Sequence, residues 1–283
     1  MAVVQLMDVR RPDLPNNVKI KSFQILVMKI RTSLILAMLL VHVCEAQNLL
    51  TNGNFSAGNT GFTNDYIYVP SGVSQTPGTY AVRTNSQDFN PAYTLFYDHT
   101  TGSGNMLLID GLPGTTKFAW AETVSVTTNT QYTFSCWATS SDPYNVPTLQ
   151  FSINGNQIGS EITLSTNSGY WQQFIATWNS GVNNSAAISV VDDNPNGYTY
   201  GNDFALDDFS FSITPPTLSI ALTNDSKVVS WPSPSTGFIL QQNTNLGTTN
   251  WIDSTLLVND NGIIKSVTNL ATSGNLFFRL WHP

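Results

Sequence analysis

Two pairs of adjacent aspartates in this chain are candidates for acid–base catalysis. Asp192-Asp193 and Asp207-Asp208 could supply the two carboxyl groups that cleave a glycosidic bond. Neighbouring residues of a regular strand point to opposite faces, whereas a glycosidase needs both carboxyls to face one substrate. An enzyme active on glycosides is therefore the third of the functions that this sequence allows.

A hydrolytic triad is the second kind of chemistry to consider. His99 follows Asp98, and serines are plentiful, but the sequence contains no Gly-x-Ser-x-Gly turn to present a nucleophile. After residue 46 the only other histidine is His282, next to the last residue. We therefore expect a protein without catalytic residues.

The stretch that carries Asp207 and Asp208 predicts a strand whose facing reverses in the middle. Phe204 and Leu206 share one parity, and Phe209 and Phe211 share the other. Side chains of a strand alternate with a period of two, so one extra residue is needed between these pairs. The sequence thus predicts a β-bulge at the two aspartates.

Short apolar alternations between clusters of Gly, Asn, Pro and Asp indicate an all-β protein. In the stretch 131–140, Tyr132, Phe134 and Cys136 share a parity and should face the core, so Trp137 should face outward. Further buried rows are expected at 149–153, 174–178 and 188–190, with a turn at 154–156. The prolines of Ile213-Thr-Pro-Pro216 cannot continue a central strand, so we expect a domain to end there.

The ends of this first domain resemble a known family. The opening Gln47-Asn-Leu-Leu-Thr-Asn-Gly-Asn-Phe55 and the closing Leu206-Asp-Asp-Phe-Ser-Phe211 are similar to the ends of galactose-binding-domain-like jelly rolls, as in carbohydrate-binding modules of secreted bacterial glycosidases. Residues 124–137 and 170–178 resemble the middle hairpin of that fold. The resemblance implies a jelly-roll β-sandwich over residues 47–213.

The same resemblance implies a structural calcium ion that ties the opening segment to the closing strand. The carbonyl of Asn54 and the carboxylate of Asp207 match its ligands, whereas the other acids of the family are replaced by Ser56 and Ser103. Asp98 and Asp110 are close in sequence and are the candidate substitutes, and Asp98 is the expected ligand. The alternative is that Asp207 or Asp208 only caps the bulge or faces solvent.

A sugar site needs aromatic rings for stacking and polar groups for the hydroxyls. Trp137 is the candidate platform, because an outward-facing tryptophan is uncommon. Tyr144 on the following loop, Gln150 on the outward parity of the next strand and Tyr93 in an early loop complete the predicted site. For each ring, packing beneath a loop is the alternative.

Residues 1–46 are predicted to lie outside the fold. From Met28 onward, a basic start, a short apolar run and a small residue before Gln47 indicate a secretory signal peptide, and residues 1–27 are interpreted as an over-extended start. Without these 46 residues the chain has 5 basic and 15 acidic residues, a net charge of 5 − 15 = −10. Such a surface argues against nucleic acid and anionic membranes as partners. Only Cys136 remains, so no intrachain disulfide can form.

Residues 217–283 are predicted to form a second, smaller sandwich. The segments Val229-Ser-Trp-Pro232, Gly237-Phe-Ile-Leu-Gln241 and Phe277-Phe-Arg-Leu280 resemble the fibronectin-type-III-like (Ig-like) terminal modules of large secreted bacterial proteins. That resemblance implies a spacer or attachment module. Trp231 and Trp251 are expected in its core.

The sequence therefore favours a secreted, non-catalytic protein of the cell exterior or cell surface that binds an extracellular polysaccharide or other glycan, or adheres through it. After signal cleavage no segment is expected to insert into a membrane. The main alternative is a structural component of an envelope or matrix without a sugar site. Rings clustered on one sheet face favour binding, rings that are all buried favour the structural role, and a histidine or a carboxylate pair converging in a cleft would favour the enzyme.

Overall fold

The computed structural model of the protein describes residues 3–6, 47–112, 117–193, 201–223, 226–270 and 275–282. These residues form strands and turns with one short 3-10 helix, Ser86–Asp88. The predicted signal peptide, 28–46, lies outside the described residues. None of the described segments is a helix long and apolar enough to cross a membrane. The chain divides into two compact units, with the boundary between Thr214 and Pro215.

The first unit, Ala46–Thr214, is a sandwich of two sheets. Its strands, in chain order, are β2 Ile67–Tyr68, β3 Thr79–Arg83, β4 Met106–Asp110, β5 Phe118–Ser125, β6 Gln131–Ser140, β7 Thr148–Ile153, β8 Asn156–Gln157, β9 Ile162–Thr163, β10 Gln172–Asn179, β11 Ser185–Asp192 and β12 Phe204–Ile213. The six-stranded sheet has the order β10-β6-β12-β4-β3-β2, and the five-stranded sheet has the order β5-β11-β7-β8 with β9 beside β7.

The inward rows of the two sheets form one core. Phe134 and Cys136 of β6, Phe151 of β7 and Phe174 of β10 belong to it, as the sequence predicts. The rings of Phe151 and Phe174 stack with their centroids 3.8 Å apart. Burial of these large side chains supplies most of the folding free energy, at roughly 25 cal/mol per Å² of apolar surface.

One expected hairpin is absent. The resemblance implies that residues 124–137 form a hairpin, but β5 and β6 lie in opposite sheets. The chain crosses the sandwich between them, and β6 pairs instead with β10 and β12. The turn predicted at 154–156 is present, because Asn154 and Gly155 both adopt positive φ (53° and 75°) and join β7 to β8.

The second unit has two four-stranded sheets, in the orders β1-β19-β15-β16 and β13-β14-β18-β17. Leu240, Phe278 and Trp231 are buried in its core, whereas Trp251 is half-buried beneath the guanidinium of Arg279, 4.5 Å from the ring centroid. Trp251 was expected in the core and instead covers a sheet surface. The strands are β1 Val3–Leu6, β13 Ser219–Thr223, β14 Ser226–Pro232, β15 Ile239–Asn243, β16 Ile252–Asp253, β17 Asn259–Asp260, β18 Ile264–Leu270 and β19 Leu276–Trp281.

Strand β1 differs from the expectation for the start of the chain. Residues 1–46 were expected not to pack on either domain, but Val3–Leu6 pairs antiparallel with β19. The reason is that β19 would otherwise be an edge strand, and an edge strand offers unpaired backbone groups to any extended segment.

Candidate functional site

The bulge predicted in β12 is present and brings two carboxylates to one face. Asp207 lies opposite Trp137, and Ser210, three residues later, lies opposite Ser135, two residues earlier on β6. Asp208 adopts a φ of 50°, a left-handed conformation that aspartate tolerates better than most residues. Leu206 and Phe209 consequently both face the core, and the two aspartates between them both lie on the outer side of the sheet. The expectation that neighbouring carboxylates face opposite sides therefore fails at this bulge, and with it fails the strand-geometry argument against a glycoside-active enzyme.

A histidine is held directly against these two aspartates. The backbone N–H of His99 donates to Oδ2 of Asp207 at 3.0 Å, and its Nδ1 lies 2.8 Å from Oδ2 of Asp208. The hydroxyl of Thr100 also donates to Asp208. The imidazole stacks on the indole of Trp137, with 3.8 Å between ring centroids and 16° between ring planes.

Trp171 completes this group, which we call the ring cluster: His99, Trp137 and Trp171. The Trp171 ring meets His99 edge-on, with centroids 5.9 Å apart, and its Nε1 donates to the carbonyl of Tyr97 at 3.3 Å. All three rings of the cluster are half-buried. The sequence placed only Trp137 in a sugar site: His99 was considered only for a hydrolytic triad, and Trp171 was expected in the core. The three residues come from distant segments that only the fold brings together.

The segment between β3 and β4, residues 84–105, positions His99 and is called the strap. Phe89, Tyr93 and Phe96 of the strap pack on the outer face of the six-stranded sheet, against Met106 and Leu108. The strap covers the β3-β4 half of that face and leaves the β6-β10 half open. Its aromatic side chains therefore build a second, small core outside the sandwich.

Asp98 makes the turn after Tyr97 rigid. Its carboxylate accepts hydrogen bonds from the backbone N–H of Thr101 and of Gly104, each at 2.8 Å. Burial raises the pKa of Asp98, but the hydrogen bonds from Thr101 and Gly104 outweigh burial and hold the pKa below its ordinary value of 3.8. The loop that carries His99 is thus fixed by its own internal bonds.

The open half of the outer face borders the ring cluster. Gln173 of β10 lies opposite Trp137 and is exposed, and Ile175, two residues further, is 62% exposed. Hydroxyl side chains of the neighbouring strands lie on the same face: Thr133, Ser135, Ser210 and Ser212. The rings thus adjoin a flat surface of hydroxyl and amide groups.

The four predicted sugar-binding residues do not converge. Trp137 faces outward as predicted but is partly covered by His99. Tyr144, 65% exposed, lies on the loop after β6. Gln150 is on the outer side of the opposite sheet, where it donates to Glu161 at 3.0 Å. Tyr93 is 3% exposed because it packs beneath the strap, so we remove it from the site.

The three predicted metal ligands do come together. Asn54, Asp98 and Asp207 line one cavity of about 300 Å³, which Ser103 and Asp208 also line. Asp207 is 1% exposed, and burial together with the charges of Asp208 and Asp98 raises its pKa to about 7, although hydrogen bonds from two backbone N–H groups oppose the rise. Oxygen ligands suit calcium, but both carboxylate oxygens of Asp207 already accept an N–H. Among the described residues, no three His, Cys, Asp or Glu side chains are grouped so that they could hold a metal ion.

The two ends of the domain are joined by direct hydrogen bonds. The backbone N–H of Leu49 donates to the carbonyl of Phe211 at 2.8 Å, and that of Phe209 donates to the carbonyl of Gly53 at 2.9 Å. The side chain of Asn48 bonds both the carbonyl of Phe209 and the N–H of Phe211, each at 2.9 Å. The opening segment therefore lies beside the closing strand, as the resemblance implies.

A second group of acids is buried at the far end of β4. Asp110 and Asp203 are 5% and 7% exposed, and Asp203 accepts a hydrogen bond from the N–H of Gly111 at 2.8 Å. Burial raises the pKa of both carboxyls, and the charge of Asp110 raises that of Asp203 further. Sequence inspection missed this pair because 93 residues separate its members.

No protein-family model matches the sequence, and no curated protein matches it. The solved structures that are similar to this chain include carbohydrate-binding modules. The CBM22-1 xylan-binding domain of Paenibacillus barcinonensis Xyn10C is 13% identical over 59% of this chain and 95% of that chain, with a TM-score of 0.39. TmCBM61, solved with β-1,4-galactotriose, is 14% identical over 60% and 100%, with a TM-score of 0.38. The Stig cyclase Fisc of Fischerella sp. TAU is 10% identical over 60% and 99%, with a TM-score of 0.41.

Proposed function

We propose that this is a secreted, non-catalytic protein whose first domain binds an extracellular glycan at the ring cluster. The observation that carries the proposal is the stack of His99 on Trp137 beside Trp171, at the border of an open sheet face lined with hydroxyl and amide groups. A sugar ring has apolar faces that stack on aromatic rings and hydroxyls that need hydrogen-bonding partners. The site offers both kinds of contact within one surface.

The charge of the domain supports a glycan over other extended partners. Residues 47–214 contain two basic residues, Arg83 and Lys117, and 12 acidic ones. The guanidinium of Arg83 donates to the carbonyls of Val69 and Val82. Binding to nucleic acid or to an anionic membrane relies on many Lys and Arg side chains, which this domain lacks.

The second unit is proposed as a spacer or attachment module, in keeping with its fibronectin-type-III-like motifs. An envelope or matrix component without a sugar site is the alternative for the whole chain. The two roles differ in one measurable property, because only the first requires that the ring cluster contact a ligand.

Affinity electrophoresis through gels that contain single soluble polysaccharides tests the proposal. Retardation of the full chain by at least one of them is expected. Trp137→Ala should weaken binding by about 1–3 kcal/mol, the scale for one buried aromatic side chain, without lowering the melting temperature greatly. Phe118→Ala is the matched control, since Phe118 is 42% exposed on the other sheet. Equal loss in both variants, or no retardation by any polysaccharide, would contradict the proposal.

We also propose that the cavity between Asp98 and Asp207 binds calcium weakly. The support is that all three expected ligands line one cavity, and that a cation there would relieve the repulsion among Asp98, Asp207 and Asp208. A ligand that binds only the folded form stabilises it by mass action, so chelation should lower the melting temperature and added calcium should restore it. Asp207→Asn should abolish this response, and the exposed control Asp193→Asn should retain it. An unchanged melting curve in chelator and in excess calcium would remove the metal.

A further inference from the structure

His99 is the member of the ring cluster that combines an accessible ring with a polar atom able to accept a hydrogen bond, since an indole N–H can only donate. Its side chain is 26% exposed and covers one face of Trp137. The backbone N–H, Nδ1 and the ring of His99 all make contacts, whereas Nε2 has no partner among the described residues. Nε2 is also not one of the buried unpaired atoms of the domain. A ligand at the ring cluster can therefore reach Nε2 of His99.

The carboxylate of Asp208 determines how the imidazole presents that atom. A carboxylate beside Nδ1 keeps a proton on Nδ1, which then donates to Asp208. In the neutral ring the other nitrogen, Nε2, is consequently a hydrogen-bond acceptor. A sugar hydroxyl is a donor that suits it.

The imidazole is held in place before any ligand arrives. Asp207 binds its backbone, Asp208 binds its Nδ1 and Trp137 supports its ring, while the turn around Asp98 is closed by bonds to Thr101 and Gly104. A contact group that is already ordered loses little conformational freedom on binding. His99 is therefore a rigid contact group that can meet a ligand without a movement of its loop.

The carboxylates around His99 restrict the charge of the ligand. Asp98, Asp207 and Asp208 lie close to His99, so an anionic sugar would be repelled when no cation occupies the cavity that they line. Each of these carboxylates is also already engaged: Asp98 by its loop, Asp207 by two backbone N–H groups, and Asp208 by His99 and Thr100. None is left as the dedicated partner of a sugar ammonium group.

We propose that His99 is the hydrogen-bonding contact of the glycan site, that Nε2 accepts a hydroxyl of an uncharged sugar ring stacked at the cluster, and that Asp208 is its positioning residue. This inference rests on the proposed glycan binding and names its ligand class and its specificity-determining residue. It also shifts the centre of the site from the indole of Trp137 to the imidazole that covers it.

Four variants of the full chain test this by affinity electrophoresis against neutral xylan, β-1,4-galactan and mixed-linkage β-glucan, with alginate and polygalacturonate as anionic probes. His99→Phe keeps a stacked ring but lacks Nε2, and should weaken binding about tenfold or more, since a hydroxyl is left unpaired. His99→Gln, which restores an acceptor, should recover part of the loss. Asp208→Asn should bind nearly as well as wild type, because its amide oxygen still accepts from Nδ1. Asp208→Gly suits the φ of 50° and should bind as weakly as His99→Phe.

The outcomes separate the two proposals. Retention of a neutral polysaccharide by wild type, with loss in His99→Phe and Asp208→Gly at unchanged melting temperature, supports the inference. Equal binding by wild type and His99→Phe, or a preference for the anionic probes, overturns the inference and leaves glycan binding in place. Failure of wild type to bind any probe overturns both.

Discussion

The buried carboxyl pair Asp110 and Asp203 should make the first domain less stable as the pH rises. Both side chains are more than nine-tenths buried, burial raises both pKa values above the ordinary 3.8, and the charge of Asp110 raises the pKa of Asp203 further. The folded state therefore retains a proton that the unfolded chain has already lost. Because the folded form binds more protons, the free energy of unfolding falls with pH, from the unfolded pKa upward through the folded one.

The magnitude follows from the linkage relation. One extra bound proton changes the free energy of unfolding by about 1.4 kcal/mol per pH unit. Between pH 5 and pH 7 the loss should thus be about 1–3 kcal/mol, a large part of the stability of a domain this size. Asp203→Asn removes the carboxyl group whose pKa is raised more strongly and keeps an acceptor for the N–H of Gly111. In this variant the free energy of unfolding should fall less as the pH rises, and stability at pH 8 should be higher than in wild type.

Urea unfolding of the full chain at pH 5, 6, 7 and 8, followed by tryptophan fluorescence, is the assay. The control is Asp193→Asn, which removes an exposed carboxylate and should leave the wild-type slope unchanged. Asp207, whose pKa is also raised, should preserve part of the slope in Asp203→Asn. If wild-type stability rises from pH 5 to pH 8, or if Asp203→Asn has the same slope as wild type, the reasoning about this pair is refuted.

Three further predictions concern the ends of the first domain. Gly53→Ala would place a Cβ against the carbonyl of Phe209 and should lower the free energy of unfolding by more than about 2 kcal/mol. Gly58→Ala meets open space and should lower it by about 1 kcal/mol, because the backbone there is left-handed. Chemical denaturation of the two variants measures the difference. Asn48→Ala leaves two backbone groups of β12 without their partner and should cost about 1–3 kcal/mol by the same measurement, and a neutral effect would contradict this account of how the ends are joined. Residues 47–213 expressed alone should unfold cooperatively, since two prolines separate the units, and a molten fragment would show that the boundary is misplaced.

Local patterns predicted the strands well and the site poorly. The reversal of parity around Asp207 predicts the bulge because strand periodicity is a property of consecutive residues. The Asn154-Gly155 turn is equally local, and it is present with its glycine at positive φ. What such patterns cannot give is which strands share a sheet, and the expected hairpin over 124–137 failed for that reason.

The candidate site depends on contacts between distant segments. Trp137 could be found from its parity, but His99 lies 38 residues before it and Trp171 lies 34 residues after it. Tyr93 was misplaced because an aromatic residue in a loop looks exposed until the face that the loop covers is known. The strap covers half of an outer sheet face, and only the three-dimensional arrangement reveals which half.

The direct pairing of the domain's two ends has a mechanical consequence. Leu49 bonds Phe211 and Gly53 bonds Phe209, so the first and last segments run antiparallel and the chain enters and leaves at the same end of the pair. A pull on both ends would load these hydrogen bonds one after another instead of together. The closing strand is also paired with β6 from Ser210 to Ile213, so the opening segment should come away first and leave the six-stranded sheet intact.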